Sequence, residues 1–240
     1  MDVSRYTERT DWETYWKNQE IIPYEKLYID EYTFGLPKSG NLIEIGGFPG
    51  KFAGYFRKYF NLEVTILDYV MIPDIVHDVE RSYGIPQGSI HTIIGDFFEF
   101  SSDDKYNIVL SVGFIEHFED TELVIRKHID LLSASGHLLI TLPNFRGING
   151  LVQKYFDPKN YKIHNIRSME LRRLKRILSG MELKEFRVEY HGKPNIWLEA
   201  NAPVGRKTRK MLLFFGKIIK RIPLKKNWLL APHIVITGKK

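Results

Sequence analysis

Short apolar runs alternate along this chain with stretches whose apolar residues recur at helical spacing. Asn41–Ile45 (NLIEI) is the first run and stops at Gly46. Lys51–Phe60 (KFAGYFRKYF) follows, with Phe52, Phe56, Tyr59 and Phe60 spaced as on a helix. Residues 63–67 (EVTIL) are β-branched and close at Asp68, and residues 89–94 (SIHTII) lead into Gly95-Asp96. Tyr106–Val112 (YNIVLSV) and residues 136–142 (GHLLITL) complete five predicted strands. Between these two, residues 119–132 place Val124, Ile125, His128, Ile129 and Leu132 on one helical face. Ahead of the first strand, residues 8–20 and 24–34, rich in Trp, Tyr and charge, read as helical.

Strands alternating with helices predict parallel strands joined by right-handed crossovers. Nearly continuous apolar strands predict a sheet covered on both faces. Ligands in such sheets bind beyond the carboxyl ends of the strands. That rule points to Gly46, Asp68, Asp96 and residues 112–117. After residue 143 the alternation weakens. Residues 144–161 read as a loop or short-helix insertion, residues 168–178 as a basic helix, and residues 181–190 and 233–237 as two more strands.

Composition narrows the chemistry. The 240 residues, 43% hydrophobic, suffice for one large core. With no cysteine, a thiol nucleophile, a disulfide framework and a cysteine-held metal are excluded. The polar start carries no secretory signal, and no apolar run of about 18 residues predicts a spanning helix; a cytoplasmic location is expected. Residues 1–199 carry 24 Lys+Arg against 29 Asp+Glu, whereas residues 200–240 carry 11 Lys+Arg and no acid. The mildly acidic body argues against nucleic acid as a partner. The basic tail is a candidate contact for phosphates or anionic lipid.

The strand tips hold the candidate chemistry. The loop from Glu44 to Gly50 (EIGGFPG) lies between strand and helix, so Gly46 and Gly47 permit a sharp turn and close backbone approach. It reads either as a ligand loop or simply as a turn. Asp68 can accept hydrogen bonds from both hydroxyls of a ribose, or cap a turn. Asp96, next to Phe97 and Phe98, suits an adenine, or is a turn aspartate before core aromatics.

In their order these features resemble the class I S-adenosylmethionine-dependent methyltransferases. EIGGFPG is similar to that family's glycine motif, Leu67-Asp68 to its ribose-binding acid, and Gly95-Asp96-Phe97 to its adenine motif. Residues 106–120 (YNIVLSVGFIEHFED) and 131–144 (LLSASGHLLITLPN) are similar to its fourth- and fifth-strand segments. Phe48 departs from the family's usual glycine. The resemblance implies an α/β, Rossmann-like three-layer sandwich whose seven-stranded, mostly parallel sheet has an antiparallel last strand. It also implies S-adenosylmethionine as cofactor, lined by Glu44, Gly46, Asp68, Asp96, Phe97 and Val112, with Gly47, Gly50 and Tyr69 alongside. The domain expected is 41–240, preceded by an N-terminal helical lid over 1–40 that includes Trp12, Tyr15 and Trp16.

His117 is the candidate base, since it follows the fourth strand and suits proton transfer near neutrality; it reads equally as a packed structural histidine. Glu116 would orient His117 or cap a helix. Some related RNA ribose and quinone-precursor methyltransferases hold a divalent ion in a Glu-x-x-Glu-His cluster. Gly113 stands at its first position here, leaving Glu116, His117 and a distant His164, and no metal is expected. The insertion near 144–167 would supply the acceptor pocket through Asn144, Phe145, Arg146, Tyr155 and His164. Within the basic amphipathic segment 205–226, Met211, Phe214, Phe215, Ile218, Ile219 and Ile222 share one face. The simpler expectation is a helix packing that face on the sheet; the other is peripheral contact with an anionic membrane through 206–222. The reading is O-methylation of a small-molecule, sugar or lipid-linked glycan acceptor. The alternatives are an RNA ribose methyltransferase and a non-catalytic cofactor-binding or membrane-docking protein.

Overall fold

In a computed structural model, residues 4–17, 22–199, 202–221 and 227–240 are described. The strands are β1 (Asn41–Ile45), β2 (Glu63–Asp68), β3 (Ile90–Ile94), β4 (Tyr106–Val112), β5 (Leu132–Pro143), β6 (Glu185–His191) and β7 (His233–Lys239). They form one sheet in the order β3-β2-β1-β4-β5-β7-β6. The first five are parallel to one another, and β7 lies antiparallel between β5 and β6. The helices are α1 (Arg9–Lys17), α2 (Lys51–Phe60), α3 (Pro73–Tyr83), α4 (Thr121–Asp130), α5 (Ile148–Phe156), α6 (Pro158–Lys162), α7 (Leu171–Ser179) and α8 (Arg206–Arg221).

The period of two along each strand sorts the core into two halves. Ile43 and Ile45 face a cluster completed by Val124, Ile125 and Ile129 of α4 and Leu174 and Leu178 of α7. Leu42 faces the opposite cluster, with Phe52 and Phe56 of α2 and Val76 and Val79 of α3. Helices therefore cover both faces, giving three layers. β1 pairs with β2 on one side and with β4 on the other, so the strand order reverses there and opens a crevice at the strand tips.

Several elements differ from the sequence reading. Helix α3 has no counterpart in it: one charged residue, Glu80, falls on its otherwise apolar face, and Glu80 is buried because its carboxylate accepts from the Gly88 and Ile90 amides. The predicted helix over 24–34 is a single 3-10 turn at Asp30–Tyr32, with Leu27 and Ile29 buried in the chain leading to it. The N-terminal helix begins at Arg9 and is described to Lys17; residues 18–20 of the predicted span lie outside the described ones. β5 starts at Leu132, because Leu132 pairs with Tyr106 before a register shift. The insertion after β5 folds as α5 and α6. Helix α8 buries Leu212 and Gly216, not the predicted apolar face: Met211, Phe214, Phe215 and Ile218 are exposed, and Ile222 lies outside the described residues. Its small inner cluster needs only one narrow strip of helix to meet Val152 and Ile196.

Candidate active site

The turn after β1 is built for close approach. Gly46 has φ +64, and a Cβ there would lie 2.3 Å from the Phe114 ring. Its N–H donates to the Leu67 carbonyl at 2.8 Å, tying the tips of β1 and β2 together. Gly47 packs on the Glu44 side chain, where a Cβ would come within 2.6 Å of Cγ. Glu44 itself is buried beneath the turn, and its Oε2 accepts from the Ala53 amide in the first turn of α2 at 2.9 Å. Burial pushes this carboxyl up to about 8; the Ala53 hydrogen bond opposes the shift and the Asp68 charge adds to it.

Two aspartates end the neighbouring strands. Asp68 accepts from the Phe48 amide through Oδ2 at 3.0 Å and from the Val70 amide through Oδ1 at 2.9 Å. Burial raises it to about 6 against these bonds. Asp96 accepts from the Phe98 amide and forms an ion pair with Arg5, whose guanidinium also lies over the Tyr69 ring, 5.2 Å from its centroid. Arg5 is held there by a β-bridge to Phe118.

These tips surround a cavity that opens to solvent; its empty space, the open mouth included, is about 760 Å³. Gly46, Asp68, Tyr69, Asp96, Phe97, Val112 and His117 line it. Glu44, Gly47 and Gly50 do not line it; they shape the turn below it, Gly50 with φ +96 against Ile66. Sequence reasoning missed Arg5 and Thr7 in the wall, whereas Gly95 lies in the quoted adenine motif and Phe118 in the quoted fourth-strand segment. Gly113 and Phe114 fall within the segment flagged after the fourth strand, but nothing local signals that Arg5 and Thr7 reach across. Trp12 and Trp16 of α1 also line the cavity, Trp12 edge-on to His117 and Trp16 edge-on to Phe48.

Beyond β4 a 3-10 turn, Ile115–His117, presents the buried Glu116 and His117, and the half-buried His164 joins them from the chain after α6. The His117 Nδ1 lies 3.0 Å from the Ile163 carbonyl, which can only accept, so Nδ1 carries the hydrogen and Nε2 keeps its lone pair. His164 is fixed the same way by the Asn160 carbonyl at 2.7 Å. The two rings are 4.7 Å apart. Burial drives His117 down to about 3, with His164 adding to the shift, and His164 down to about 4. Glu116 is raised to about 8 by burial, and its Oε2 has no hydrogen-bond partner among the described residues. One ligand atom from each of Glu116, His117 and His164 lies within 4.8 Å of the others, a spacing that could hold a metal ion. Asn165 brings the trio together: its amide side chain donates to the Phe118 and Glu119 carbonyls, and its backbone N–H donates to Glu116 O.

The other acceptor candidates lie elsewhere. The Asn144 side chain donates to the Trp228 and Ala231 carbonyls, bracing the chain before β7. Phe145 packs in the core against His164 and Trp197. Arg146 pairs with Glu170 at 3.5 Å, and Tyr155 is 71% exposed on α5. None of these four lines the cavity, and neither does His164, which reaches its wall through His117.

A family model described as a methyltransferase domain matches residues 18–186. No curated protein matches in sequence. Among solved structures, an Archaeoglobus fulgidus SAM-dependent methyltransferase is similar at 18% identity and a TM-score of 0.54, over 88% of this chain and 90% of that one. A Haemonchus contortus phosphoethanolamine N-methyltransferase 2, solved with phosphomonomethylethanolamine and S-adenosylhomocysteine, is similar at 16% identity and a TM-score of 0.63; the match covers 96% of this chain and 56% of that one. A Thermotoga maritima SAM-dependent methyltransferase, titled a possible histamine N-methyltransferase, shares 16% identity and a TM-score of 0.57 over 89% of this chain and 87% of that one. The domain match spans most of the chain, and the sheet order and tip cavity are those such a domain requires, so this protein belongs to the S-adenosylmethionine-dependent methyltransferases of the class I, Rossmann-like fold.

Proposed function

We propose that this enzyme methylates a hydroxyl oxygen of a small-molecule acceptor, such as a sugar or a lipid-linked glycan. The observation that carries the reading is the neutral His117, whose unprotonated Nε2 belongs to a side chain in the cavity wall. S-adenosylmethionine supplies a methyl group on a sulfonium, already an activated leaving group. Asp68 would hold the ribose hydroxyls, Asp96 and Phe97 the adenine, and Gly46 would let the backbone approach. Tyr69 and Val112 would complete the wall, while Glu44, Gly47 and Gly50 would act from below by shaping the turn. Trp12 and Trp16 would exclude water as a lid, so the work left to the protein is alignment.

His117 would orient the hydroxyl by accepting its hydrogen bond and take the proton as the oxygen bonds to carbon. A protonated ether is far more acidic than an imidazolium even when burial lowers the latter. A weak base therefore suffices late in the step, and it leaves the hydroxyl protonated before. Glu116 and His164 would fix His117 from behind.

One observation favours a second reading. The unpartnered Glu116 Oε2, with two histidines of fixed tautomer beside it, could hold a divalent ion that acidifies the hydroxyl. Turnover unaffected by a chelator supports the metal-free reading. An RNA acceptor is disfavoured by the excess of acid over residues 1–199. The amine N-methyltransferase names of two similar structures raise an amine acceptor, which would need no base when neutral.

The test is His117→Ala with an acceptor screen using labelled methyl donor, including nucleotide sugars and lipid-linked saccharides. Turnover on the hydroxyl acceptor should fall about 10²-fold or more, with cofactor affinity within about threefold of wild type. Full turnover in the variant would refute the hydroxyl-and-histidine reading.

A further inference from the structure

The sides of α8 carry different chemistry. At 100° per residue, Thr208, Ile219, Leu212 and Gly216 form one strip, and this strip faces the protein. Leu212 and Gly216 are buried, and a Cβ on Gly216 would lie 3.3 Å from the Ile196 backbone. The next sector, about 100° wide, holds Phe214, Ile218, Met211 and Phe215, with the exposed Lys207 on the same side in the first turn. Each of the four apolar residues is between 42% and 60% exposed. Beyond it lie Arg206, Lys210, Lys217 and Arg221, all exposed.

Core packing does not account for the apolar sector. Its four side chains expose roughly 400 Å² together, the size at which an apolar patch marks an interaction site. Neighbouring elements expose apolar side chains of their own. Helix α5, packed on α8 through Val152, leaves Leu151 and Tyr155 exposed, and Trp228 and Leu229 are exposed beside the start of α5.

We infer that α8 is a docking helix for an anionic membrane surface, lying in the plane of the interface with Phe214, Phe215, Met211 and Ile218 inserted and the basic sector against lipid headgroups. Charge chooses this occupant. Residues 200–240 hold 11 Lys+Arg and no acid, while the rest of the chain holds an excess of acid, so the two parts would meet an anionic surface with opposite preference. That polarity orients the molecule with α8 toward the lipid. Nucleic acid would engage the basic sector and leave the phenylalanines in water. Adjacent apolar and basic sectors are what an interfacial helix needs, and Trp228 and Tyr155 are residue types that settle at headgroup level. The contact is peripheral: among the described residues no helix is long and apolar enough to cross a membrane.

The experiment is co-sedimentation of the full chain, at low ionic strength, with vesicles of phosphatidylcholine alone and of equal parts phosphatidylcholine and phosphatidylserine. Binding should be confined to the mixed vesicles and weaken with salt. The double variant Phe214→Gln/Phe215→Gln should bind on the order of tenfold more weakly or worse, and Lys210→Glu/Lys217→Glu should not sediment. Both variants should bind S-adenosylmethionine as wild type does, which shows that they fold. The inference is overturned if the intact chain stays in the supernatant with the mixed vesicles. It is overturned too if the phenylalanine variant binds undiminished, or if sedimentation equilibrium shows a dimer that the same variant dissociates.

Discussion

Replacing Glu44 with glutamine removes a titrating group from beneath the first turn while keeping an oxygen for the Ala53 amide and a stem for Gly47 to pack on. Burial lifts the wild-type carboxyl from 4.5 to about 8. An acid with a folded pKa above its unfolded one lends stability that is full below the unfolded value and is lost as pH rises through the folded value. Between about pH 5 and about pH 7.5 the wild type should therefore lose ~3 kcal/mol through this group alone. Glu116 and Asp68 act in the same direction and are present in both proteins. His117, His128, His164 and His233 are all lowered and pull the opposite way at the acid end, again in both. The difference between the two proteins isolates Glu44. Urea unfolding at the two pH values, extrapolated to water, should show Glu44→Gln losing ~3 kcal/mol less than wild type. Parallel losses would refute the buried, neutral carboxyl.

Gly46→Ala forces a side chain into φ +64 and against the Phe114 ring. It should cost about 1–2 kcal/mol of stability and weaken cofactor binding by at least about tenfold by calorimetry, with unchanged far-UV circular dichroism. Asp68, raised to about 6, is ionised only above that value, so cofactor affinity in wild type should rise as pH climbs through it. In Asp68→Asn the affinity should be lower by about tenfold and flat with pH, since only one oxygen is left for ribose and backbone; a retained pH dependence would assign it to another group. Arg5→Ala breaks the ion pair with Asp96 and the contact with Tyr69. Cofactor dissociation followed by stopped flow should quicken several-fold; an unchanged rate would show that the arm does not cover the bound cofactor.

The middle of the sheet was legible in the sequence because β1, β4 and most of β5 are buried on both faces. That requirement writes itself locally, as apolar runs such as NLIEI and YNIVLSV, each ending at a tip where a bare backbone or a carboxylate is tolerated. Gly46, Asp68 and Asp96 were found for that reason, and their strands are adjacent because β1, β2 and β3 are neighbours in the sheet. Other features depended on contacts far apart in sequence, which no local period encodes. Arg5 reaches Asp96 across 91 positions, and His117 meets the Ile163 carbonyl across 46. Asn165, pinning one loop to another, and the Ile163 carbonyl turn a distant His164 into a neighbour of His117. Periodicity likewise showed that α8 has two chemistries without showing which strip packs. The spacing of apolar residues records where they lie around a helix, while the face that is buried depends on the room beside Val152 and Ile196, where Leu212 and Gly216 fit.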